Sequence, residues 1–253
     1  MAAQFQKKVE IFETEEEVAV RLGQYTADLS AKFVRERGAF TVVLSGGTLI
    51  DTLRKLAEPP YKNIVEWGKW HVFWVDERVV KKTHPDSNYK LAFDGFLSKV
   101  PIPPGQIYAI NDALPAEGAA EDYQARLKHL VQRNVIATSK VTGFPRFDLM
   151  LLGMGPCGHL ASLFPAHPLC KEKTKWVTYI KDSPKPPPQR ITFTFPVINS
   201  AAHNAMVVTG DDLADAVQIA LGNSVPPFTL PAQLLAAEEE VTWFLDQTAA
   251  SKL

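Results

Sequence analysis

Cysteine is nearly absent. Cys157 and Cys170 are the only two in 253 residues, and neither CxxC nor HExxH spacing occurs. That excludes a disulfide framework and argues against a structural zinc site. Charge of one sign is also missing: 27 basic and 28 acidic side chains leave a formal net charge of −1, without the basic field that nucleic-acid binding requires. No apolar stretch approaches bilayer-spanning length, and Met1 to Lys8 carry no apolar leader of the secretory type. No internal repeat or domain boundary is visible. What is present, 46% hydrophobic and 22% charged, is the make-up of one globular domain over residues 1–253, large enough to need no staples.

The element order alternates strand and helix. Thr14 and Glu17 form a capping box, after which Val18, Leu22, Tyr25, Leu29 and Phe33 mark one helical face until Gly38 ends it. Strands are predicted near 40–45, 70–75 and 147–152, with a helix near 116–136 before the third. Later strands are predicted near 175–180, 190–195, 204–209 and 240–245. Asp211 and Asp212 open a further helix with Leu213, Val217 and Leu221 on one face, stopped at Gly222. Strands separated by helices imply a parallel sheet with right-handed crossovers. The proline-rich Val100 to Gly105 and Pro184 to Pro188 read as ordered loops.

Three strands end in ligand-type chemistry. Leu149 to Leu152 run into Gly153, Gly155 and Gly158, and then into His159. A strand that ends in a glycine turn delivers its next polar side chain to the carboxyl edge of the sheet, where open α/β folds bind ligands. The bland alternative is a βα turn with a solvated or core histidine. Phe40 to Leu44 run into Ser45-Gly46-Gly47-Thr48, where Thr48 is placed to cap a helix bearing Leu49, Leu53 and Leu56. Backbone N–H groups at such a turn suit a phosphate. No Gly-Lys-Ser/Thr follows, so this is not a Walker loop. Val72 to Val75 run into Asp76-Glu77-Arg78, followed by Ser87-Asn88-Tyr89. Arg78 is suited to clamp a phosphate through two parallel hydrogen bonds; a solvated salt-bridge cluster is the alternative.

Together the Ser-Gly-Gly-Thr turn, the Trp-x-Asp-Glu-Arg segment with its Ser-Asn-Tyr, and Gly-His-x-Ala-Ser-Leu-Phe-Pro resemble the 6-phosphogluconolactonases, most nearly those of plants. Ser183 to Thr192 resemble a further segment of that family, and the likeness runs from about Phe5 to Leu245. The resemblance implies an α/β fold: a three-layer, Rossmann-like parallel sheet with helices on both faces, shared with the sugar-phosphate deaminases and isomerases. It implies hydrolysis of 6-phospho-D-glucono-1,5-lactone in the oxidative pentose phosphate route, with no cofactor and no metal.

For that reaction His159 fits the general base that activates water. Backbone N–H groups of the Gly153 to Gly158 turn are candidates for the oxyanion. Gly46, Gly47, Thr48 and Arg78 are candidates for the phosphate, with Arg190 or Lys185 as the second cation. Asp76 reads as holding Arg78 or touching substrate hydroxyls, with a structural carboxylate as the alternative. His71, His84, His129 and His203 lie outside any motif, and His167 reads as capping a turn. Ser45 is no elbow nucleophile, since Gly-x-Ser-x-Gly is absent around it.

One position departs from the family. Where these lactonases usually carry Asp two residues before the motif histidine, this chain has Cys157. A thiol orients and stabilises the imidazole less well than a carboxylate, so a catalytically weak sugar-phosphate-binding protein is the competing expectation. A related amino-sugar-phosphate deaminase is the other, disfavoured because Leu163-Phe164-Pro165 stands where that family has Asn-Glu-Pro. The chain closes with Ser251-Lys252-Leu253, a peroxisomal address read by an import receptor, on a tail expected to be exposed over 248–253. Peroxisomal import is therefore expected, with the cytosol as a second location. No membrane and no nucleic-acid partner is expected.

Overall fold

Residues 40–44, 149–152 and 203–208 are buried at every position, as strands sandwiched between two layers must be. The computed structural model describes residues 5–222 and 229–253; residues 1–4, part of the stretch read above for a leader, lie outside them. The chain opens with β1 (Gln6–Phe12), α1 (Glu15–Arg37), β2 (Phe40–Leu44), α2 (Leu49–Thr52) and α3 (Tyr61–Ile64). Next come β3 (Trp70–Trp74), β4 (Asp76–Arg78), α4 (Asn88–Gly95) and α5 (Ala116–Gln132). After β5 (Ala137–Thr138) and β6 (Pro145–Arg146) follow β7 (Leu149–Leu152), β8 (Val177–Ile180) and β9 (Arg190–Phe193). The last elements are α6 (Phe195–Asn199), β10 (His203–Val208), α7 (Ala214–Leu221) and β11 (Glu240–Asp246).

The central sheet has the order β1-β11-β10-β7-β2-β3 with every pair parallel. Alternation along its strands divides the apolar side chains between two cores. Val43, Phe73, Met150, Leu152 and Trp243 face one layer, where Ala119, Tyr123 and Leu127 of α5 meet them. Val42, Leu44, Val72, Leu151 and Phe244 face the other, against Val18, Leu22 and Phe33 of α1. The result is the three-layer arrangement that the family resemblance implied. From β2 the chain moves outward to β3, and from β7 it moves the opposite way to β10. The carboxyl ends of β2 and β7 therefore flank the topological switch point, where such sheets open a crevice.

Local signals mostly act as written. Thr14 Oγ1 accepts the Glu17 N–H, although the Glu17 carboxylate reaches back to the N–H of Glu13, one residue before the usual partner. Gly38 ends α1 at φ 73°, a left-handed cap that donates to Val34 O. Thr48 does not cap α2: its backbone is already helical and its side chain makes no cap hydrogen bond. The helix expected there is one turn, followed by a 3-10 turn over Arg54–Ala57.

β8 and β9 do not join the parallel sheet. With β4 they form a separate antiparallel sheet in the order β4-β9-β8. No helix lies between β8 and β9, so the chain has no crossover by which to return parallel and reverses instead. β4 joins this sheet because residues 70–78 leave the parallel sheet at Val75, whose N–H donates to Leu44 O while its C=O accepts from Phe193. At the far end Ala249 is buried, so the tail is exposed at 251–253 and not as one run from Thr248. Lys252 Nζ lies 2.5 Å from Asp215 Oδ1 on α7.

Candidate active site

A cleft of about 220 Å³ opens at the switch point. Its floor is the end of β2 and the end of β7, stitched where Ser45 Oγ accepts the Gly153 N–H at 3.0 Å. Gly46, Gly47 and Thr48 line one side, His159 and Gly155 another, and Asp76, Arg78 and Arg190 a third. Three segments far apart in sequence thus deliver their polar residues to one place. Of the residues singled out in the sequence, Lys185 and Cys157 do not line the cleft; Lys185 is exposed and Cys157 half-buried.

The imidazole of His159 is held on three sides. Its ring lies 4.7 Å from that of Phe164, and its Nδ1 is 3.1 Å from Cys157 Sγ. A β-carbon built on Gly155 would sit 1.9 Å from His159 Cε1, so only glycine leaves room for the ring. Burial pushes the imidazole pKa down to about 4, helped by the positive charges of Arg190, Lys185 and Arg78. At neutral pH the ring is uncharged and able to accept a proton.

The turn that carries His159 does not continue into a helix. Met154 and Leu160 form an isolated antiparallel bridge, as do Leu160 and Leu163, and Ala161 adopts φ 53°. The glycines have the spacing of a dinucleotide fingerprint, yet without a following helix there is no helix terminus to receive a pyrophosphate. The oxyanion role expected for this turn is corrected at three positions. The N–H groups of Gly153, Gly155 and Gly158 already donate to Ser45 Oγ, His159 O and Gly155 O.

Arg78 and Arg190 face each other directly across the β4–β9 ladder. Like charges in that position repel, and the buried Asp76 in the same ladder opposes that repulsion with its own field. Asp76, two residues before Arg78 on β4, makes no ion pair with it. Asp76 Oδ2 accepts from Ser162 Oγ at 2.7 Å, and burial raises the Asp76 pKa. Arg78 Nη1 donates to Asp86 O. Arg190 donates Nε to Pro187 O and Nη2 to the carbonyls of Lys185 and Pro186, which fixes the proline-rich loop as the sequence suggested. The Arg190 guanidinium also lies 5.6 Å from the Phe164 ring that packs against His159.

Asn88 and Ser162 lie in segments that carry the family resemblance, but sequence reasoning assigned neither a role. Asn88 lines the cleft and is nearly fully buried. A serine three residues past the histidine carries no signal of its own, because its role depends on Asp76 from a different sheet. The remaining histidines keep their bland roles: His203 pairs with Glu239, and His71 Nδ1 meets Tyr108 OH. His167 Nδ1 accepts the Leu169 N–H and caps a 3-10 turn. Among the described residues, no cluster of His, Cys, Asp and Glu is arranged to hold a metal ion, and no helix is long and apolar enough to cross a membrane.

Comparison with known proteins gives a consistent picture. Residues 13–243 match the family model described as glucosamine-6-phosphate isomerases/6-phosphogluconolactonase. Probable 6-phosphogluconolactonase 4, chloroplastic, of Oryza sativa subsp. indica is 67% identical over 248 residues, covering 97% of this chain and 76% of its own. 6-phosphogluconolactonase 3, chloroplastic, of Arabidopsis thaliana is 63% identical, covering 98% and 75%. Among solved structures, 6-phosphogluconolactonase of Thermotoga maritima superposes with a TM-score of 0.79 at 26% identity, over 95% of this chain and 100% of that one. A monomeric glucosamine-6-phosphate deaminase shares the fold with a TM-score of 0.77 at 22% identity, over 97% and 100%.

Proposed function

The chain belongs to the glucosamine-6-phosphate isomerase/6-phosphogluconolactonase family, and from that membership we infer that it is a 6-phosphogluconolactonase, a single lactonase domain acting in the oxidative pentose phosphate pathway. The reaction opens 6-phospho-D-glucono-1,5-lactone to 6-phosphogluconate. His159 takes a proton from water as the water oxygen attacks the lactone carbonyl. The tetrahedral intermediate then collapses, and the ring oxygen leaves with the proton that the imidazolium returns. The observation that carries this proposal is that His159 lines one cleft with the cross-strand pair Arg78 and Arg190.

The phosphate lies at the end of the substrate remote from the carbonyl, so its binding energy orients the lactone against the base. Arg78 supplies a guanidinium fork, Arg190 the remaining N–H groups of its Nη1, and Gly46, Gly47 and Thr48 backbone donors. Lys185 adds long-range positive charge from the rim. Asp76, fixed by Ser162, is the one carboxylate among the cleft-lining residues and is suited to accept from sugar hydroxyls. Deaminase chemistry is disfavoured by Phe164, which fills the space beside His159 with an apolar ring where the deaminase motif has an acid.

The Cys157–His159 contact supports a second reading, a sugar-phosphate binder with weak turnover. If Nδ1–H donates to Sγ, Nε2 is left with a lone pair for water. If instead S–H donates to Nδ1, the ring proton sits on Nε2 and the base is lost. Lactone hydrolysis, corrected for the spontaneous reaction and measured beside 6-phosphogluconate binding, separates the two. Binding without turnover would establish the weaker protein.

Ser251-Lys252-Leu253 are proposed as a peroxisomal address, supported by their exposure. A fluorescent fusion at the amino end tests this: puncta that vanish when the tripeptide is deleted support it, and a diffuse signal unaffected by deletion rejects it.

A further inference from the structure

Asp76, Glu77 and Arg78 alternate in direction along β4, so Glu77 points away from the cleft that its two neighbours line. It is 3% exposed and makes no ion pair among the described residues. Instead its carboxylate collects three backbone donors. Oε1 accepts the N–H of Arg78 at 2.7 Å and that of Asn88 at 2.8 Å, and Oε2 accepts the N–H of Tyr89 at 2.8 Å. Two of these are the first free N–H groups of α4, where a negative charge is favoured. Arg78 and Asn88 are joined by a loop that is largely exposed from Lys81 to Asp86. One oxygen atom therefore ties both ends of that loop together.

Asn88 is the other half of the arrangement. Its Nδ2 donates to Asp76 O at 3.2 Å. Its Oδ1 borders the cleft so closely beside Gly46 that a β-carbon there would lie 2.2 Å away. That oxygen accepts no hydrogen bond from the described residues, which leaves it open to a hydroxyl donor.

We propose that Glu77 is a positioning residue for substrate recognition. It sets the spacing between the Arg78 guanidinium and the Asn88 amide, and Asn88 Oδ1 accepts a sugar hydroxyl of the bound phosphosugar. The proposal rests on the lactonase reading above. A carboxylate is required because its two oxygens accept three donors at once. In Glu77→Gln one end becomes an NH₂ group that faces a backbone N–H, and the tie is lost on that side.

The test is steady-state lactone hydrolysis by the wild type, Glu77→Gln, Arg78→Ala and Glu77→Gln/Arg78→Ala, with thermal melts of each. Glu77→Gln is expected to raise KM by roughly tenfold, the worth of one well-placed hydrogen bond, and to leave kcat within about threefold. The double variant should be no weaker in KM than Arg78→Ala by more than about threefold, because Glu77 acts partly through Arg78. Asn88→Ala should raise KM for the lactone and weaken 6-phosphogluconate, with inorganic phosphate affinity unchanged. If Glu77→Gln does not fold, Glu77→Asp retains the charge on a stem too short to reach all three donors and should show the same KM-selective loss. An unchanged KM, or a lower melting temperature with kcat and KM both intact, would overturn the proposal. A wild type that fails to hydrolyse the lactone overturns the lactonase reading instead, and the affinities for 6-phosphogluconate then still decide the roles of Glu77 and Asn88.

Discussion

The His159 ring rests on Gly155 with no space between them: a β-carbon at that glycine would fall 1.9 Å from Cε1 and 2.2 Å from Nδ1. Since Gly155 lacks a positive φ, the requirement is space rather than backbone freedom. Gly155→Ala should therefore fold and yet displace the imidazole, lowering kcat by about 10²-fold, because misplacement of a reacting group by about 1 Å costs that much. Turnover near that of the wild type would show that the ring position is not critical.

His159→Ala should lower turnover by at least about 10²-fold while the melting temperature holds, as expected for a lost general base. Activity near that of the wild type would sink the mechanism.

Arg78→Ala should weaken phosphorylated ligands by about 1.5–3 kcal/mol, the range for a charge-assisted hydrogen bond. Calorimetric titration with 6-phosphogluconate and with gluconate is the check. An equal loss for both ligands would make Arg78 a structural residue.

The imidazole pKa of about 4 makes a direct prediction for NMR titration of His159. Burial and the surrounding cations disfavour the charged ring, so in the free protein it stays neutral until pH falls well below the ordinary range of about 6.5. Inorganic phosphate bound between the arginines cancels part of that positive field and should move the midpoint up. A midpoint near 6.5 that phosphate does not shift contradicts the electrostatics. The stability contribution follows the same sign: with its folded pKa depressed, His159 favours the fold above its unfolded pKa and loses that effect as pH falls toward 4.

Cys157→Asp places a carboxylate where Sγ now sits 3.1 Å from Nδ1. A negative charge there stabilises the imidazolium, so turnover and the His159 pKa should both rise. If both stay put, Cys157 is a tolerated neighbour. If turnover appears only in the variant, the natural chain is a sugar-phosphate binder.

What could be read in advance depended on how local the cause was. The buried strands were legible because a strand covered on both faces has no polar positions, and α1 was legible because its apolar stripe and its left-handed Gly38 lie in sequence. β1 was missed: it is an edge strand, largely exposed, whose order comes from pairing with β11 more than two hundred residues away. The candidate residues His159, Arg78 and Gly46 were visible because each lies at or shortly after the carboxyl end of a strand. The Asp76–Ser162 bond and the triple bond set of Glu77 were not, since both require segments that sequence spacing does not bring together. Thr48 illustrates the reverse failure, a residue of cap type whose backbone had already entered the helix.

The opposition of Arg78 and Arg190 across the small sheet has a consequence for the protein as a whole. Asp76 offsets part of their mutual repulsion, and a dianion bound beside them is expected to offset more. Folding and occupancy are then thermodynamically linked: a ligand held at 100 times its Kd adds about 2.7 kcal/mol to the stability of the native state. A chain that binds a phosphorylated sugar there is expected to melt at a higher temperature, and to resist proteolysis longer, when 6-phosphogluconate is present.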